Sequence, residues 1–276
     1  MQVARPNHVR TRLMYPEPRH VGLVNWIGLW TLYAKEVQRF MKVAGQTVFA
    51  PIVTTLLFLA IFTLALGEGR APVGGVAFEV FLAPGLVMMA VTQNAFANSS
   101  SALLIAKIQG NIVDILMPPL SSAELLVAFV GAAVTRGLAV AIAVTAAMTP
   151  FVDLPFWSIG WGLLFVVLAS VMMGLIGILT GLWADKFDHM AFITNFVITP
   201  LAFLSGTFYS IDRLPEFAQG IAFVNPFFYA IDGFRHALTG QGDVSLVLGG
   251  TVLAVIDVIL AIWVLVLFRR GYNLKA

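Results

Sequence analysis

Two charged side chains stand deep inside apolar stretches: Arg136 near the middle of residues 125–148 and Asp257 near the middle of residues 246–268. Counted from the ends of those stretches that adjoin basic residues, both lie about 12–14 residues in, roughly 18–20 Å along a helix. An ionised group at that depth in hydrocarbon costs about 2.5–3.5 kcal/mol or more, so each needs a partner or water. Equal depth makes an Arg136–Asp257 salt bridge possible. The pair could be structural, could face water, or could mark a substrate or proton path. Asn94 and Asn98 share one helix face in residues 80–101, beside Gln93, Ser99, Ser100 and Ser101. Amides so placed either join helices by hydrogen bonds or line an aqueous path.

Enzyme chemistry finds little to work with. There is no cysteine, and His8, His20, His189 and His236 all avoid the interiors of the apolar stretches. No H-E-x-x-H, EF-hand or G-x-S-x-G pattern occurs, so neither a metal site nor a nucleophile is expected. None of the five lysines sits between a glycine and a Ser or Thr, so the phosphate-binding P-loop is missing. The chain is not expected to be an enzyme or to hold a cofactor of its own.

What must position these residues is set by composition. Hydrophobic residues make up 59% of the 276 and charged residues 11%, against roughly 25% charged in a soluble domain. Mean hydropathy is +0.92. An ordinary soluble fold and a disordered chain are both excluded. The net charge of +2 is small and the basic residues gather at the chain ends, so no nucleic-acid face is expected.

Six stretches are long and apolar enough to span a bilayer as helices: residues 48–66, 80–101, 125–148, 156–182, 191–208 and 246–268. A β-barrel would read as alternating segments of about ten residues. The expected class is therefore an all-α polytopic membrane protein. Twelve Lys and Arg lie in the segments that share a side with the termini: Arg5, Arg10, Arg12, Arg19, Lys35, Arg39, Lys42, Lys107, Lys186, Arg269, Arg270 and Lys275. Only Arg70, Arg213 and Arg235 lie opposite, which predicts cytoplasmic termini. Residues 1–20 lack the apolar core of a cleaved signal peptide and read as a basic cytoplasmic tail.

Three further elements stand apart from the spans. Residues 21–45 repeat Leu23, Trp26, Ile27, Trp30, Tyr33, Val37, Phe40 and Met41 at helical spacing, as an amphipathic helix at the membrane interface would. In residues 107–120, Ile108, Ile112 and Leu116 recur every four residues before Pro118-Pro119. A short surface helix there would turn Asn111 and Asp114 toward a soluble partner. Residues 209–243 are too apolar for a solvated loop and are broken at Asn225-Pro226. Two short helices dipping back into the membrane fit best, because Pro226 can begin a helix but not continue one. Gly177-x-x-x-Gly181 permits close helix approach.

Taken in order, these residues resemble the ABC-2 type transporter permeases, and within them the YadH-like integral membrane subunits. The resemblance rests on Ala34–Met41 with Gln46-Thr47, on Pro84-Gly85-Leu86 with Met88-Met89, and on the stretch from Lys107 to Leu120. It continues through Thr135-Arg136-Gly137-Leu138, Thr199-Pro200-Leu201, Gly206, Phe208-Tyr209, and Asn225-Pro226 leading to Gly233-Phe234-Arg235. The basic tail at residues 1–20 is longer than the family pattern.

The resemblance implies a homodimerising half-transporter of the bacterial inner membrane, with six spans in residues 46–276, that recruits two copies of a separate ATPase subunit. ATP and magnesium would be bound by that partner. Lys35, Glu36 and Arg39, with Lys107, Asn111, Ile112, Asp114 and Leu116, would form the docking site. Residues 185–190 would adjoin it. Asn225, Pro226, Tyr229, Phe234 and Arg235 would belong to a re-entrant cap, and Arg136, Asp257, Asn94 and Asn98 to the pathway or its buried charges. An amphiphilic or lipid-linked substrate, moved outward among membrane lipid, is the expected cargo. A secondary carrier using Arg136 and Asp257 as coupling charges, or a membrane scaffold, are the competing readings.

Overall fold

The computed structural model describes residues 22–66, 72–73, 75–210 and 215–273. The tail at residues 1–20 and Arg70, Arg213, Leu214 and Lys275 lie outside them. Among the described residues the chain is helical, with one isolated antiparallel bridge between Val73 and Val76 and no strand. Helix α1 spans Trp26–Met41, α2 Ala50–Leu66, α3 Phe78–Ile108, α4 Ile112–Leu116, α5 Ser122–Met148 and α6 Ile159–Trp183. Then come α7 Phe187–Ile193, α8 Thr199–Leu204, α9 Glu216–Val224, α10 Pro226–Thr239 and α11 Leu246–Arg270. Six helical stretches are long and apolar enough to cross a membrane, the fifth running from α7 through α8.

Proline chemistry shapes two of these spans. A π-helical turn, Gly45–Phe49, leads into α2 and ends two residues before Pro51. A second, Thr194–Ile198, joins α7 to α8 and ends two residues before Pro200. Proline has no N–H to give and its ring crowds the carbonyl four residues back, so widening that turn relieves the clash.

Packing sorts the spans into a core and a rim. In the most apolar stretch of α3, 78% of residues are buried, against 17% for the first span, 11% for α7–α8 and 22% for α11. Glycine is the reason α3 can be so enclosed. A Cβ at Gly177 would stand 2.6 Å from the Phe96 carbonyl oxygen, and one at Gly181 would stand 2.9 Å from the Leu103 Cβ. At Gly137 of α5 it would collide with Ser170 of α6. Close approach of this kind holds helices together in lipid, where apolar burial between helices contributes little.

Several boundaries differ from the sequence reading. The second span runs on to Ile108, so Lys107 belongs to the last turn of α3. The fourth begins at Ile159, after an irregular stretch that holds Phe156 at φ 46°. The fifth begins at Phe187 and ends at Leu204, just before Gly206 at φ 73°. The Gly177 spacing itself behaves as expected. Gly177→Leu should therefore destabilise the bundle by about 1–3 kcal/mol through overpacking, while Gly160→Ala, with open space around it, should be neutral. Melting of the purified variants in detergent checks both.

Candidate functional site

One polar strip of α3 gathers two arginines. Asn94 Oδ1 accepts from Arg136 Nη2 at 2.8 Å and from Nε at 3.3 Å. One turn along, Arg39 of α1 donates to the Asn98 carbonyl at 2.7 Å and to Ser101 Oγ at 3.1 Å. Its Nε meets Glu36 at 2.8 Å. The Asn94 amide thus joins α3 to α5, whereas Asn98 meets α1 mainly through its backbone carbonyl, its amide oxygen standing 3.4 Å from Arg39 and its amide nitrogen finding no partner. Tyr33 and Thr135 hydroxyls, 2.8 Å apart, add a further tie between α1 and α5.

The Arg136–Asp257 salt bridge is not formed. No carboxylate among the described residues lies within 4.0 Å of Arg136, whose partner is the neutral Asn94 amide. Asp257 is 7% exposed and neither carboxylate oxygen has a hydrogen-bond partner. Equal depth places two groups at one level but says nothing of the direction in which each points round its helix.

At the end of the bundle where α1 begins, the connections are knotted by hydrogen bonds. Ser121 and Glu124 form a capping box that starts α5. The second Glu124 oxygen accepts the backbone N–H of Asn25. Asn25 in turn caps α1 through Gly28 N at 2.9 Å and reaches the Pro119 carbonyl at 3.3 Å. A Ser-x-x-Glu pattern before an apolar run is legible in sequence, yet Glu124 was not among the expected site residues.

Beside this knot, the Lys107 ammonium donates to the carbonyls of Leu182 at 2.8 Å and Ala184 at 2.7 Å, capping the C-terminus of α6. It also contacts Asp185 at 3.3 Å. Asn273 donates to Leu182 and Asp185, so three chain segments meet at one turn. The Asn273 amide and the Lys107 ammonium hold the Asp185 carboxyl below the usual carboxylate range.

The expected docking residues divide accordingly. Lys35, Asn111, Asp114 and Leu116 are exposed and Arg39 is half-buried. Glu36 and Ile112 are buried, and Lys107 is spent on α6. Glu36 can be enclosed because Arg39 neutralises it. Within α4 the buried side is Ile112 and Ile115, while Val113 and Leu116 are exposed, as are Ile108 at the end of α3 and Met117 just after α4. The four-residue pattern fails because Gly110, at φ 72°, breaks the helix between Ile108 and Ile112. In α1 the buried row is likewise Leu32, Glu36 and Phe40, and Trp26, Ile27 and Trp30 face outward.

At the far end, α9 and α10 form the two short helices expected around Asn225-Pro226. Asn225 caps α10 through Phe227 N at 3.1 Å and donates to the Leu201 carbonyl and Ser205 Oγ, each at 2.8 Å. Pro226 opens α10. Tyr229 donates to the Phe223 carbonyl at 2.9 Å, closing the hairpin on itself. Phe234 is buried. Arg235, also buried, donates to the Gly206 carbonyl at 2.6 Å and the Phe81 carbonyl at 3.2 Å, over the Phe81 ring. Asp232, which the sequence reading did not single out, accepts the backbone N–H groups of Asp243 and Val244 at 2.9 Å. Its signal was an acid three residues before Arg235 on an otherwise apolar face.

Residues 28–239 match the family model described as ABC-2 type transporter. The inner membrane transport permease YadH of Escherichia coli K12 is 38% identical over 253 residues, covering 91% of this chain and 98% of that protein. Nodulation protein J of Rhizobium leguminosarum bv. viciae is 25% identical over 252 residues, covering 90% and 95%. Nodulation protein J of Neorhizobium galegae is 22% identical over 238 residues. In a double-mutant cycle, Arg136→Ala and Asn94→Ala should couple by about 1–2 kcal/mol, and Arg136→Ala with Asp257→Ala by clearly less. Unfolding free energies in SDS titration measure both.

Proposed function

Since the chain belongs to the ABC-2 type transporter family, and is thus a transmembrane subunit of an ABC transporter, we propose that it is the permease half of an ATP-driven exporter. It works in the bacterial inner membrane, with both termini cytoplasmic, as the distribution of Lys and Arg favours. It pairs with a second copy of itself and with two copies of an ATPase subunit, which carry the ATP and magnesium. The little-buried α2 and α7–α8 are suited to meeting that second copy.

The observation that carries this reading is α4. Its Ile112 and Ile115 are anchored in the bundle while Val113, Asp114, Leu116 and Met117 stand free, in a chain that has no P-loop of its own. Force applied to α4 would pass to α5 and α1 through Glu124 and Asn25, and to α6 through the last turn of α3 at Lys107. ATP can drive such a shift only by making contacts that differ between two packings. In this reading α1 lies at the cytoplasmic interface with Trp26 and Trp30 at headgroup level. The α9–α10 hairpin is re-entrant and caps the pathway in the outer leaflet. Residues 107–120 act as the coupling segment, and the cargo is amphiphilic or lipid-linked.

Leu116→Asp or Met117→Asp should abolish co-purification of the ATPase subunit from native membranes while leaving the yield and gel-filtration profile of the permease unchanged. Ile112→Asp should instead lower the yield of folded chain, because it buries a carboxylate. Full ATPase recovery with both exposed-site variants would overturn α4 as the docking element.

A further inference from the structure

Helix α11 is buried along one side only. Leu246, Gly250, Leu253, Asp257, Val264 and Phe268 make its buried row, while Val258, Ile259, Ile262, Trp263 and Val266 are exposed on the opposite side. That exposed row ends in Arg269 and Arg270, in the last turn before Gly271 closes the helix at φ 64°. The rise from Val258 to Arg269 is roughly 16 Å, which matches one leaflet of a bilayer whose hydrocarbon is about 30 Å thick.

A second set of groups stands at this end of the bundle. Asn273 donates to the Leu182 carbonyl at 2.8 Å and to Asp185 at 3.2 Å, which lays the residues after α11 against those after α6. Trp183, Lys186 and Tyr272 are exposed in these two segments. Asp185 is already matched by Lys107 at 3.3 Å. Lys186, Arg269 and Arg270 form no salt bridge among the described residues. The other acid in these segments is Asp188, in the first turn of α7. Three cations against one acid leave this edge positive.

We infer that this edge holds an anionic phospholipid, bound as a stationary lipid on the outer surface of the bundle. Arg269, Arg270 and Lys186 supply the cations for its phosphate, and its acyl chains lie along the exposed row of α11. Guanidinium groups pair bidentately with phosphate oxygens, and Trp and Tyr favour the headgroup level. A soluble partner could meet the arginines, but the apolar row behind them lies within the leaflet, where only lipid or another span can cover it. The inference needs neither the ATPase nor a cargo, so it stands apart from the exporter reading.

The test uses the full chain purified in dodecyl maltoside and titrated with dioleoylphosphatidylglycerol, zwitterionic dioleoylphosphatidylcholine or water-soluble glycerol 3-phosphate. Native mass spectrometry and thermal shift read the binding. Phosphatidylglycerol should bind saturably, and the other two at least about tenfold more weakly. Arg269→Gln with Arg270→Gln should bring phosphatidylglycerol down to the level of phosphatidylcholine, whereas Lys at both positions should keep part of the preference. Both arginines are exposed, so these variants should fold as the wild type does. Lys42→Gln, which removes an exposed cation just after α1, should leave the preference unchanged. A preference that survives the double Gln variant, or that falls equally with Lys42→Gln, would overturn the site. Equal binding of glycerol 3-phosphate would overturn the lipid in favour of a free phosphate. An intact preference in the double Gln variant together with lost ATPase co-purification would overturn the site by giving the arginines to a soluble partner.

Discussion

The bundle depends on how closely α6 can approach α3. In lipid there is no water to expel from between two apolar helices, so attraction comes from backbone contact and from hydrogen bonds. Gly177 and Gly181 bring the α6 backbone against Phe96, Ser100 and Leu103, and Gly137 does the same for α5 against Ser170. With α3, α5 and α6 fixed, α1, α10 and α11 have a surface to pack on. Helix α2 and the α7–α8 span remain at the rim with most of their apolar surface outward.

Polar groups are then placed by what this core leaves within reach. The face of α3 that carries Asn94 and Asn98 takes one arginine from α5 and one from α1. The result is a charged layer with, among the described residues, one carboxylate, Glu36, bonded to it. Asp257 on α11 contributes nothing to that layer, since its oxygens find no partner. The contrast between a paired Arg39 and an unpaired Arg136 is what gives the strip its positive character.

The two ends of the bundle use different devices. Where α1 begins, side chains cap helices of other segments: Glu124 serves both α5 and the start of α1, and Lys107 closes α6. Such cross-capping ties together the segments on either side of α4. At the opposite end, Asn225 and Arg235 bind carbonyls around the close of α8 and the start of α3. These bonds tie the hairpin to the end of α8 and the first turn of α3.

The sequence by itself determined the class, the number of spans, the break at Asn225-Pro226 and the close approach at Gly177. Each follows from hydropathy, proline or glycine, which act over a few neighbouring residues. It also marked Arg136 and Asp257 as costly groups that need partners. Only the tertiary structure decided who the partners are, because depth along a helix is legible and direction around it is not. That is why Arg136 meets Asn94 instead of Asp257. It is also why Glu36 turns inward although it falls among the polar positions of α1, and why Ile112 is buried although the resemblance placed it in the docking site. One glycine at φ 72° resets the phase of α4, and one arginine beside Glu36 makes an acidic residue fit to bury.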